Sequence, residues 1–84
     1  GFGRYDIMLE PIDKNNEKLP GIVIEFKVFN PKKEDTLEET VENALRQIKE
    51  KDYDAELIKR GVKEENIRHY GFAFKGKEVL IDGR

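Results

Sequence analysis

Two stretches near the start of the chain have the two-residue period of β-strands. Residues 4–9 place Tyr5, Ile7 and Leu9 on one face and Arg4, Asp6 and Met8 on the other. Residues 21–29 are β-branched, aromatic and apolar almost throughout, which predicts a buried strand. Glu25 and Lys27 interrupt that run and share one face, while Ile22, Ile24, Phe26 and Val28 share the other. Between the two strands, Asp13, Asn15 and Asn16 are turn formers, with Pro11 and Pro20 at either end. A hairpin folded symmetrically about this loop sets Leu9 against Ile22 and Asp6 against Glu25. Directly opposed residues share a sheet face, so Asp6, Glu25 and Lys27 are expected to converge. A slip of one residue would disperse them.

Helical spacing begins after Thr36, a good N-cap that forms a capping box with Glu39. Leu37, Val41, Ala44, Leu45 and Ile48 then form one apolar stripe. Glu38 and Glu39 match the positive end of that helix, Lys49 and Lys51 the negative end. Gln47 falls on the flank of the stripe, on the side of Thr40. A short helix is expected over residues 54–60, stopped by Gly61 and docked by Leu57 and Ile58. Tyr53, at the joint, reads as a packing residue with a solvated hydroxyl. Residues 62–66 read as a turn. Residues 68–75 read as a strand with Tyr70, Phe72 and Phe74 on one face, a trio expected to belong to the core. Gly76-Lys77 predicts a type II′ hairpin turn into a last strand at residues 78–82. The crossover from the Glu25 strand through the long helix to the Phe72 strand should be parallel and right-handed.

With 84 residues the chain is long enough for one small domain. Hydrophobic content of 37% against 40% charged is too apolar for a disordered chain. A net charge of −2 does not have the strongly basic balance typical of nucleic-acid binders, although a local basic patch can suffice. Lys32, Lys33, Arg46, Lys49, Lys51, Lys59, Arg60 and Lys63 are candidates for one, and most read as solvated faces interleaved with acids. The absence of cysteine excludes disulfides and thiolate metal sites, and the single His69 excludes a multi-histidine zinc site. No apolar run is long enough to span a membrane, and a cytoplasmic location is expected.

Asp6, Glu25 and Lys27 have the composition of a metal-dependent phosphodiester site. Carboxylates hold a hard cation such as Mg²⁺, which can activate water and neutralise phosphate charge. An ammonium can orient that water or stabilise the transition state. Taken alone, Glu-x-Lys on a strand is more often an ion pair, and a flank glutamine such as Gln47 is more often solvated.

Residues 3–9, residues 21–27, Ala44-Leu45-Arg46-Gln47-Ile48 with Tyr53, and residues 70–74 together resemble the PD-(D/E)XK nuclease superfamily. More narrowly, they resemble the nuclease-like domain at the C-terminal end of predicted AAA-ATPase-like proteins. The resemblance implies an α/β fold, a restriction-endonuclease-like mixed four-stranded sheet in the order strand, strand, helix, short helix, strand, strand. It implies Asp6 and Glu25 as metal ligands, with the backbone carbonyl of Phe26 as a third. Lys27 would serve as the motif lysine and Gln47 as the helix glutamine beside the site. The implied cofactor is Mg²⁺ or Mn²⁺, the substrate DNA or RNA, and the partner an attached ATPase-like domain. Tyr5 stands where the motif's name has proline. The usual glutamate-bearing first helix and first strand do not precede Gly1, so the chain is expected to be a domain truncated at its N-terminus. It is further expected to pair as a homodimer through the edge or face near Asp6. The alternative reading is a non-catalytic binding or regulatory module.

Overall fold

The computed structural model describes residues 4–13, 15–16 and 18–84, with Arg4 and Tyr5 described by backbone alone. The elements run β1 (Arg4–Leu9), β2 (Gly21–Val28), α1 (Leu37–Lys51), α2 (Tyr53–Lys59), a 3₁₀ turn (Glu64–Asn66), β3 (Ile67–Lys75) and β4 (Glu78–Gly83). One sheet holds the strands in the order β1-β2-β3-β4. The β1–β2 and β3–β4 pairs are antiparallel, and β2–β3 is parallel. This is the mixed four-stranded α/β architecture of a restriction-endonuclease-like fold.

The β1–β2 register follows the symmetric loop: Leu9 pairs with Ile22, and Asp6 with Glu25. Thr36 caps α1 by accepting the Glu39 N–H at 3.3 Å. Gly76 takes φ +59°, the sign a II′ turn requires at its first central residue, and the strands it joins end at Lys75 and resume at Glu78. The short helix runs one residue earlier at each end than its pattern implied; its start is set by Asp52, which in the left-handed region (φ 54°, ψ 48°) ends α1, with α2 starting directly after it. Aspartate tolerates that conformation better than most residues.

Among the described residues, the buried core lies on one face of the sheet. Val23, Val41, Leu45, Ile48, Leu57, Val62, Ile67 and Ala73 form it. Gly71, beside Glu25 in the β2–β3 ladder, brings α1 close: a Cβ there would meet the Val41 carbonyl at 3.1 Å. The aromatic trio is therefore placed differently from the expectation. Strand parity puts Ile67, Gly71 and Ala73 under α1, and Tyr70, Phe72 and Phe74 on the opposite face, where they are half-buried. There Phe72 and Phe74 pack on Phe26, with ring centroids 5.0 and 6.2 Å away. Ile7, Leu9, Val28, Val79 and Ile81 on that open face are all exposed.

Candidate functional site

The sheet face under α1 carries the polar residues of β1 and β2. Asp6 and Glu25 are directly opposed across the ladder, and Lys27 follows Glu25 on the same face. Glu25 is fully buried. Lys51, in the last turn of α1, reaches both acids: its Nζ lies 2.7 Å from Asp6 Oδ2 and 3.7 Å from Glu25 Oε1. The Tyr53 hydroxyl also donates to Asp6 Oδ2. This hydrogen bond, then burial, then the Asp6 charge raise the Tyr53 phenol above its ordinary range. The left-handed Asp52 makes the arrangement possible. It breaks the helix between Lys51 and Tyr53, and both side chains reach Asp6 on the edge strand β1.

Lys27 is engaged in a second cluster. Its Nζ donates to Glu34 Oε2 at 2.6 Å. Asn43 Nδ2 donates to the same oxygen at 2.6 Å, while the Asn30 N–H and the Thr40 hydroxyl donate to Oε1 at 2.8 and 3.0 Å. Burial pushes the Glu34 carboxyl up, but the hydrogen bonds from Lys27, Asn30, Asn43 and Thr40 outweigh it and hold the group at about 2. Gln47 is half-buried on α1. It lies one turn from both Asn43 and Lys51, so it stands on the flank between the two clusters. The Phe26 side chain points to the open face, against Phe72. Its backbone pairs with Tyr5 on one side and Phe72 on the other.

The structure thus brings Asp6 and Glu25 together, sets Lys27 beside them on Glu34, and places Gln47 between. Sequence reasoning missed three participants. Lys51 was legible in part, since it follows Gln47 by four residues on one helix flank. The roles of Tyr53 and Glu34 had no local signal. Among the described residues, no group of three or more His, Cys, Asp or Glu is arranged to hold a metal; Asp6 and Glu25 are a pair. Their oxygens are nevertheless the hard donors a cation such as Mg²⁺ prefers, and the ammonium seated against both carboxylates marks a place that accepts positive charge. A cavity of about 310 Å³ lined by Glu38, Val41, Glu42, Leu80, Ile81 and Asp82 adjoins β4, at the other edge of the sheet from Asp6.

A mixed sheet with opposed acids on its first two strands and a lysine one pleat beyond is the arrangement expected of a nuclease-like α/β domain. The chain belongs to the PD-(D/E)XK nuclease superfamily, whose family model matches residues 1–83. No curated protein and no solved structure matches the chain. No helix among the described residues is long and apolar enough to cross a membrane.

Proposed function

We propose that this domain hydrolyses phosphodiester bonds of DNA or RNA with a divalent cation, Mg²⁺ or Mn²⁺. The observation that carries the reading is the direct opposition of Asp6 and Glu25, with the Lys51 ammonium 2.7 Å from the first and 3.7 Å from the second. Asp6 and Glu25 are the carboxylates that hold the cation, and the Phe26 carbonyl is the third oxygen that family membership implies. When bound, such an ion supplies Lewis-acid activation and charge neutralisation. Hydrolysis forms one P–O bond to a water oxygen and breaks another; the water loses a proton and the leaving oxygen gains one. Lys27 places a positive charge one pleat from Glu25, where it orients water or offsets phosphate charge. Gln47 supports Lys27 or the substrate from the α1 flank.

The test is cleavage of single- and double-stranded DNA and RNA with Mg²⁺ or Mn²⁺, comparing the wild type with Glu25→Gln. Metal-dependent cleavage that disappears in a folded Glu25→Gln variant supports the reading. Cleavage unaffected by the substitution overturns the site.

A second reading has its own observation. Lys27 is neutralised on Glu34 and Lys51 on the acids, so the motif charges are satisfied internally. That favours a binding or regulatory module serving an attached ATPase-like domain. Metal and nucleic-acid binding without cleavage in the same assay would select it.

A further inference from the structure

The two lysines of this face are held in different ways. Lys27 bonds a carboxylate that takes three further donors and is itself buried. Lys51 sits at a helix end with 36% of its side chain exposed, and its Nζ meets Asp6 at 2.7 Å and Glu25 at 3.7 Å. The same ammonium stands 5.8 Å from the Tyr53 ring centroid. Two carboxylates opposed across a ladder repel each other unless a cation lies between them, and a fully buried one such as Glu25 is costly to keep charged alone. Lys51 supplies that cation on a flexible four-carbon stem, from a position open to solvent.

We infer that Lys51 is a tethered cation of this site: it occupies the place between Asp6 and Glu25 that a divalent ion takes, and it is displaced when the ion binds. This rests on the reading of Asp6 and Glu25 as the metal-holding pair. The ammonium and the metal share the same oxygens, so their binding is mutually exclusive. Metal affinity is therefore reduced by the fraction of time Lys51 is seated. The lysine keeps the two acids apart from each other's charge before metal arrives, and once displaced it remains within a side chain's length of them, placed to meet a phosphate.

The experiment is calorimetric titration of Mg²⁺ and Mn²⁺ alone into the wild type, Lys51→Met, Lys51→Arg and Asp6→Asn, each checked for fold by circular dichroism. Lys51→Met should bind roughly fivefold more tightly than the wild type, the scale of removing one partly exposed ion-pair competitor. Lys51→Arg, which keeps the charge, should stay near the wild type. Without metal, Lys51→Met should melt at a lower temperature than the wild type, and added metal should close the gap. In the wild type, the Lys51 Cε and Nζ resonances should shift along the same isotherm as the metal titration, a readout that does not depend on any variant folding. Binding lost in Asp6→Asn but unchanged or weaker in Lys51→Met, with static Lys51 resonances, overturns this inference and leaves the metal site standing. No saturable binding in either wild type or Lys51→Met overturns both.

Discussion

Lys27 Nζ lies 2.6 Å from Glu34 Oε2, and through that bond the strand carrying the motif lysine is tied to the loop that leads into α1. The Glu34 side chain is fully buried and that of Lys27 only 20% exposed, so neither charge is well solvated. Because Glu34 also accepts from the Thr40 hydroxyl, the pair ties this loop to both β2 and α1.

Breaking this pair from one side should be costly. Glu34→Gln keeps the shape but loses the charge, and an amide accepts only through its one oxygen. We expect a loss of about 3 kcal/mol, the scale of removing one partner from a buried ion pair. Urea denaturation checks it. Lys27→Met should cost a comparable amount, and the double variant should cost less than the sum of the two.

The same carboxylate makes stability depend on acid. Its folded pKa of about 2 lies below the ordinary 4.5. The unfolded chain therefore binds the proton more readily, and the stabilisation is present above pH 4.5 and lost as pH falls toward about 2. Thermal melts across that window should fall steeply in the wild type. In Glu34→Gln the slope should be shallower by the share of this one group.

The Tyr53 hydroxyl reports on Asp6. Its phenol is raised first by donating to the Asp6 carboxylate. Spectroscopic titration of phenolate absorbance should show a late-ionising component from Tyr53, and Asp6→Asn should bring it down. Tyr53→Phe should cost about 1 kcal/mol, the net worth of one hydrogen bond.

The open sheet face should drive self-association. Ile7, Leu9, Val28, Val79 and Ile81 are exposed there, around the Phe26, Phe72 and Phe74 rings, and contiguous apolar patches recruit partners. Sedimentation should show a concentration-dependent dimer. Ile81→Lys, at 53% exposure, should shift it to monomer without unfolding the core on the other face. A dimer that persists in Ile81→Lys would move the contact to the β1 edge.

The chain's own pattern was enough to place the acids. Strand parity puts Glu25 and Lys27 on one face, and the loop between Pro11 and Pro20 sets the register that opposes Asp6 to Glu25. The Thr36 cap and the Gly76 turn were legible for the same reason: each depends on residues a few positions apart, whose preferences act locally. Tertiary structure decided the rest. The run of β2 read as buried with its more apolar face on Ile22, Ile24, Phe26 and Val28, and only the packing of α1, permitted by Gly71, determined that Val23 and Ala73 are core while Phe26 and Phe72 are left on the open side. The partners of the charges were also decided at that level. Lys51 is 45 residues from Asp6 in sequence, and Tyr53 is 47. Glu34 sits in a loop whose course no periodicity encodes. Contacts between residues so far apart form only once the chain has packed. A charge buried by that packing then takes whichever opposite charge or hydrogen-bond donor the fold has brought within reach, because leaving it alone in a low-dielectric interior costs more than the contact does.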